Sequence, residues 1–302
     1  MKAHLALRAC RCKRPVRWRA VGNVRDGVLV SLVNDQGRAT TGGAWPLPPL
    51  SSETVHDILL QIKSLPKRTS AREWLHYSME QSLAPSLRWA ISSALWRLVH
   101  PTRAVHRHTA VLVEPHDDFS SICRHHSRCL KLKLKAPINT VDSAFGWIQT
   151  HLRHHKETLL RLDAQQQWMA NAILELHERL LKHGYNIDYW EDPCPADQLA
   201  LLETIAPKLA VDVSNYQKLS LLPSAPQRVV KAAICGSVWE FLHLLKASSQ
   251  QCRIIVSSTG EGFEAAQLLA ELSPVNVVHG FWPMTLGQTK LRPLKNIRQR
   301  SL

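Results

Sequence analysis

Leu160-Arg161-Leu162-Asp163, Asp188-Tyr189-Trp190-Glu191 and Leu209-Ala210-Val211-Asp212 are three short stretches that each end in an acid. Each is long enough for a strand, and the acids recur at about one β/α unit, the spacing at which strands of a parallel barrel return to the same end. Working outward, apolar strands recur at 109–113, 130–135, 158–163, 187–191, 209–213, 228–232, 253–257 and 275–279, with helical segments between them. Eight such strands predict an α/β fold, a parallel β/α barrel. One intervening helix is plain: Met169, Ile173, Leu176 and Leu180 fall on one face, and Gly184 stands where a left-handed residue would stop it. The barrel has less chain than the roughly 250 residues usual for this fold, so short helices or a missing one are expected.

Ahead of the barrel the rhythm differs. Val24, Val28, Val30 and Leu32 alternate with polar residues across a turn at Arg25-Asp26-Gly27, and Asn34-Asp35-Gln36-Gly37 makes a second turn. This predicts a small antiparallel sheet, which Pro46, Pro48 and Pro49 stop. Ser51 or Ser52, followed by Glu53, then opens a helix carrying Val55, Ile58, Leu59 and Ile62. A second helical pattern covers Leu87–Leu98 and breaks at Pro101. Residues 1–100 are expected to form an α+β domain and residues 101–302 the barrel, with the C-terminal tail returning to the first domain.

The 302 residues carry a net charge of +14, from 38 Lys and Arg against 24 Asp and Glu. Basic residues are spread from Arg8 to Arg300, with short clusters at 8–19, 131–135 and 290–300, rather than gathered in one arm. Charge alone does not choose among nucleic acid, a membrane surface and an anionic small molecule, but the spread speaks against a dedicated nucleic-acid binder, and no membrane partner is expected. With 45% hydrophobic and 21% charged residues, the composition is globular and excludes disorder and collagen. No apolar run reaches the roughly 18 residues of a membrane span, and Arg8 interrupts the stretch Met1 to Cys10 before a signal-peptide core forms. A soluble, cytoplasmic protein is expected, monomeric or homo-oligomeric. The seven cysteines read as reduced thiols, since Cys123 and Cys129 bracket Arg124, His125 and His126 without tetrahedral zinc spacing.

In Leu130-Lys131-Leu132-Lys133-Leu134-Lys135 a period of two sends three leucines to one face and three lysines to the other. Two placements fit. One is a solvated face; the other is the barrel interior, where an amine needs a carboxylate or anionic ligand and desolvation lowers its pKa toward that of a general base. A lone strand-end acid is usually a helix N-cap, whereas three at unit spacing converge on the barrel mouth and suit a hard cation such as Mg²⁺. Arg228-Val229-Val230-Lys231 adds a lysine after strand six, and Ser257-Ser258-Thr259-Gly260-Glu261-Gly262 closes strand seven with a small polar turn able to offer N–H groups to a carboxylate. Lysines on strands two and six would flank acids on three, four and five. That arrangement can take a proton from the carbon next to a metal-bound carboxylate. Lys131 with Lys133 and Lys133 with Lys135 are both open as the strand-two pair; the first is preferred, because Leu134 then fills the apolar position after the base.

These residues resemble the o-succinylbenzoate synthase family of the enolase superfamily, in its muconate-lactonizing-like subgroup. The likeness runs through Arg25-Asp26-Gly27, Pro46-Leu47-Pro48 with Ser51 and Glu53-Thr54, and Pro85-Ser86 with Ser93-Ala94-Leu95. It continues through the Lys-x-Lys strand, Leu160 to Ala164 with Trp168, Glu191-Asp192-Pro193-Cys194, Val211-Asp212, Val230-Lys231 with Gly236-Ser237, and Ser257-Ser258 with Glu261. The resemblance implies a capping domain on a modified (β/α)7β TIM-type barrel. It also implies a Mg²⁺-dependent syn dehydration of 2-succinyl-6-hydroxy-2,4-cyclohexadiene-1-carboxylate, a small anionic carboxylate, in menaquinone biosynthesis, with Mn²⁺ as a substitute ion.

By the same resemblance Asp163, Glu191 and Asp212 would ligate the metal. Lys133 would take the proton and then, as acid, assist departure of hydroxide; Lys131 would lower the pKa of Lys133 and contact the carboxylate; Lys231 would stabilise the enediolate from the opposite side. Arg161, Gly236, Ser257 and Ser258 would be substrate contacts, and a loop within Cys10–Val24 a lid, although its Arg-rich composition fits plain solvation equally well. The chain departs from the family pattern at Gly43, Gln165, Val213-Ser214 and Ala232, none of them an expected ligand. Racemases and epimerases of N-acylamino acids or dipeptides in the same superfamily would use the same lysines. The dipeptide epimerases usually carry acids at the end of strand eight, where Val277-Val278-His279-Gly280-Phe281 has none. A basic binding protein, or a barrel that has lost activity, is the alternative from another class.

Overall fold

The computed structural model describes residues 4–15, 24–46, 51–102, 109–115, 117, 128–213, 227–231, 235–249, 252–257, 263–274 and 277–280. The first part is a four-stranded antiparallel sheet in the order β3-β2-β1-β4, from β1 (His4–Pro15), β2 (Val24–Asn34), β3 (Ala39–Ala44) and β4 (Arg68–Ser70). One face of the sheet, with Leu5, Val28, Val30 and Leu32, packs on α1 (Val55–Ser64), α2 (Ala71–Met79) and α3 (Pro85–Val99) through Ile58, Trp74, Leu87 and Ile91.

Several expectations are corrected here. β1 is absent from the sequence reading, because Arg8, Arg11 and Lys13 are among its exposed residues and read as solvated chain. With β1 present, Arg25-Asp26-Gly27 is strand rather than turn, paired with Arg14, Lys13 and Cys12. Residues 10–15 of the proposed lid therefore lie on β1, and residues 16–23 fall outside the described residues. The α1 N-cap is Thr54, in a reciprocal box with Asp57. Glu53 is buried instead and accepts from the Ser86 N–H at the start of α3 (3.2 Å).

The second sheet is a parallel ring in the order β11-β10-β9-β8-β7-β6-β5. Its strands are β5 (Val111–Val113), β6 (Cys129–Lys133), β7 (Leu159–Asp163), β8 (Asn186–Glu191), β9 (Leu209–Val213), β10 (Gln227–Lys231) and β11 (Arg253–Ser257). The eighth segment closes it: His279 bridges to Thr109 and Gly280 to Ser257, with the Ala110 N–H donating to the His279 carbonyl (2.7 Å) and the Gly280 N–H to that of Val256 (2.9 Å). Residues 275 and 276 of the expected strand 275–279, and the C-terminal tail, lie outside the described residues. The architecture is thus an α+β cap on a TIM-type barrel.

Around the ring run α4 (Val141–Leu152), α5 (Ala170–Lys182), a 3-10 stretch (Ala196–Lys208), α6 (Val238–Ser249) and α7 (Phe263–Leu272). Leu130, Leu132 and Leu134 point out into a core with Ile148, Ile173, Leu176 and Leu180; each buried leucine contributes about 1.5–3 kcal/mol. Met169 is not on that face: it precedes α5 and is 58% exposed. Gly184 follows the helix at φ 78°, as expected of a left-handed stop. Among the described residues no helix is long and apolar enough to cross a membrane. The His-rich segment 124–126 lies outside the described residues.

Candidate active site

Because the leucines of β6 take the outer face, Lys131 and Lys133 point into the barrel. The register sets Lys133 level with Asp163, and Asp163 level with Glu191 on β8. Asp212 is the last but one residue of β9 and Lys231 ends β10. Lys131 Nζ lies 2.5 Å from Glu191 Oε1 and 3.2 Å from Asp163 Oδ2, while Lys231 pairs with Asp212. Lys135 instead pairs with Glu114 at the end of β5 (3.0 Å), so Lys131 and Lys133 are the lysines directed to the acids. Three carboxylates at successive strand ends thus stand with lysines on both sides.

Burial and charge give the two β6 lysines opposite titration. Desolvation works against both cations, but Asp163 and Glu191 more than compensate at Lys131, whose pKa lies well above the ordinary lysine value. At Lys133 desolvation prevails, helped by Lys131 and only partly offset by Asp163, and its pKa is lowered. Desolvation also opposes Lys231, where Asp212 and Glu191 raise the pKa overall. Burial would raise Asp163, yet Lys131 and Lys133 bring it below the usual Asp value. Glu191 is raised by burial, Lys131 being outweighed once Asp163 and Asp212 add their negative charge.

Sequence reasoning missed two neighbours. Asp192 has a positive φ of 42° and accepts from the Asp212 N–H at Oδ1 (3.1 Å); burial and then Asp212 push it up to about 7. Its signal in the sequence is the Glu191-Asp192-Pro193 stretch, which sets a second acid directly after a strand-end acid. Tyr189 is the other. Leu160 is level with Ile187 but Arg161 with Tyr189, so β8 bulges at Asp188. The bulge turns Tyr189 inward beneath Glu191, and its hydroxyl donates to Glu191 Oε2 (3.5 Å). No alternation pattern announces an inserted residue.

Of the expected substrate contacts, Arg161 is engaged below the acid layer. Its Nε donates to Asp188 (2.8 Å) and its Nη2 to the Val278 carbonyl (2.8 Å), it lies over the Tyr189 ring, and it is 1% exposed. Arg253 holds the other oxygen of Asp188 (2.6 Å). Gly236 has φ 99° and backs onto Arg88 and Glu240, where a Cβ would lie 2.5 Å from each. Ser257 is half-buried at the end of β11 and donates to the Gly280 carbonyl (3.4 Å). Ser258 lies outside the described residues.

The donor set suits a hard cation: three carboxylates, no thiolate among them, and Asp212 Oδ1 buried without a hydrogen-bond partner. Among the described residues no three side chains already stand as a closed metal-binding group; Lys131 is on Asp163 and Glu191, and Lys231 is on Asp212.

No protein-family model and no curated protein sequence matches the chain. Solved structures match it by fold. An o-succinylbenzoate synthase from Thermosynechococcus elongatus BP-1, complexed with Mg in its active site, is 20% identical, covers 91% of this chain and 92% of its own, and superposes with TM-score 0.73. A dipeptide epimerase from Methylococcus capsulatus, complexed with Mg and the dipeptide L-Arg-D-Lys, is 18% identical over 93% of this chain and 90% of its own, TM-score 0.74. A mandelate racemase/muconate lactonizing enzyme from Roseiflexus sp. is 20% identical over 92% and 88%, TM-score 0.75. At these identities the likeness is one of fold, and that fold is an enolase-like α+β cap on a (β/α)7β barrel.

Proposed function

We propose that this protein is a Mg²⁺-dependent o-succinylbenzoate synthase, dehydrating 2-succinyl-6-hydroxy-2,4-cyclohexadiene-1-carboxylate. The observation that carries the reading is the row of three carboxylates, Asp163 and Glu191 buried and Asp212 half-buried, with Lys131 and Lys133 on one side and Lys231 on the other. Asp163, Glu191 and Asp212 would hold the ion, with Asp212 Oδ1 gaining a partner. Bound there, Mg²⁺ would supply Lewis-acid stabilisation of the charge that builds on the substrate carboxylate. Lys133, its pKa lowered by desolvation, takes the α-proton and returns it to the departing hydroxide. Lys131 stays charged beside it and receives a carboxylate oxygen. Lys231, also charged, faces the carbon acid from the opposite side and stabilises the enediolate. Ser257, at the end of β11, would contact the substrate, whereas Arg161 steadies the acid layer from beneath through Tyr189.

An epimerase of dipeptides or N-acylated amino acids is the second reading. It is favoured by the opposed lysines and by the solved dipeptide epimerases of equal structural similarity. Against it, Val277 to Gly280 place no acid where an ammonium group would need one. Incubation with the cyclohexadiene carboxylate, with L,L-dipeptides and with N-succinylamino acids separates the two. An aromatic product from the first alone supports the synthase, and epimers from the others alone replace it.

A further inference from the structure

Glu240, in the first turn of α6, joins the cap to the barrel. Its Oε2 accepts from the Ser237 N–H (2.7 Å), its own N–H donates to Ser237 Oγ (3.2 Å), and the pair caps the helix. The same carboxylate accepts from two cap residues, Arg88 of α3 (2.9 Å to each oxygen) and Gln81 (3.0 Å). A third cap residue, Ser92 of α3, accepts from the Val238 N–H (2.9 Å), so the cap satisfies an orphan donor of a barrel helix. Trp89 meets Phe241 edge-on and Trp96 lies against Trp239 around this point. Arg88 and Glu240 are only 6% and 15% exposed, and removing one charge of such a pair leaves the other buried and uncompensated.

The joint lies next to the catalytic strand. Gly236 immediately precedes the Ser237 cap, and any Cβ there would strike the Arg88 guanidinium and Glu240. Cys235 donates through Sγ to the carbonyl of Lys231 (3.5 Å). The turn that the cap grips is therefore tied back to the end of β10.

We propose that Arg88 is a positioning residue for Lys231: through Glu240 it fixes the Cys235-Gly236-Ser237 turn and so holds the end of β10 at the acid row. On this reading Gly236 is there for the approach of Arg88 rather than for substrate. The inference rests on the assignment of Lys231 to the reacting centre.

Arg97 with Glu271 (2.6 Å, each 11% exposed) is a second cap-to-barrel ion pair, made to α7 instead of to this turn, and serves as the control. Backbone amide exchange across residues 227–240 and steady-state kinetics are measured for Arg88→Met, Glu240→Gln, Arg88→Lys and Arg97→Met. Arg88→Met and Glu240→Gln should speed exchange in the turn and lower kcat about tenfold or more with little change in KM, as expected of misplacement near the chemistry. Arg88→Lys should recover part of both effects, and Arg97→Met should show neither. Equal exchange and equal kcat in Arg88→Met and Arg97→Met overturn the proposal, as does a loosened turn with unchanged kcat. If Arg88→Met does not fold, Glu240→Gln and Arg88→Lys decide by the same criteria. If the wild type turns over none of the substrates tested, the functional reading fails separately, and the exchange comparison still decides whether Arg88 holds the turn.

Discussion

Two lysines on one strand titrate in opposite directions because their surroundings differ within a few ångströms. Lys131 sits on two carboxylates and keeps its proton, while Lys133, beside a cation and desolvated, gives its proton up more readily. Lys133→Ala is expected to lower turnover by about 10²–10⁴-fold, the usual worth of a positioned general base, with the fold intact by circular dichroism. A base must be deprotonated to act, so kcat/KM should rise with pH along a limb below the ordinary lysine range, and Lys133→Ala should lose that limb. The acids act as a set. Asp163→Asn and Glu191→Gln should each abolish the heat of Mg²⁺ binding in calorimetry, and a variant still binding with wild-type affinity would place the ion elsewhere.

At the scale of elements, β8 shows how packing prepares the site from outside. Trp190 points away from Glu191 and donates its indole N–H to Nδ1 of His177 on α5 (3.0 Å), which requires a neutral imidazole. Burial first, then Lys208, holds the His177 pKa below its ordinary 6.5, against Glu178. A lowered folded pKa means that the unfolded chain binds the proton more readily. The stability His177 allows is therefore full above about pH 6.5 and is lost as pH falls through the lower folded value. The wild-type melting temperature should drop on acidification over this range, and His177→Gln, whose amide oxygen can accept the same bond without titrating, should flatten the drop. An unchanged slope would assign the acid sensitivity to other groups. On β6, Leu132→Ala should cost about 2–5 kcal/mol in denaturant unfolding, since the side chain is fully packed between sheet and helices.

Legibility in the sequence followed the same physics. Parallel strands with apolar outer faces and charged ends announce themselves by period and spacing, so the barrel and its acid row could be read before any contact was known. β1, with its run of arginines, and the Asp188 bulge could not, because one depends on a partner strand and the other on an inserted residue that breaks the alternation.

At the scale of the whole molecule, the cap and barrel meet where half-buried ion pairs and tryptophans cross between them, and the barrel mouth balances three lysines against three acids. Adding a divalent cation to that balance leaves the mouth positive, which suits an anionic carboxylate substrate. The net charge of +14 exceeds what this local balance explains, and the other basic residues are spread along the sequence from Arg8 to Arg300. The fold alone, shared with synthases and epimerases alike, does not choose the reaction; the residues at the mouth do. The direct test is formation of o-succinylbenzoate from the cyclohexadiene carboxylate by purified protein, with Mg²⁺, with EDTA, and with Lys133→Ala in place of the wild type. The account predicts an aromatic product that requires Mg²⁺ and disappears in the variant. Folded wild-type protein that binds Mg²⁺ yet forms no product, or product formation that survives Lys133→Ala, would contradict it.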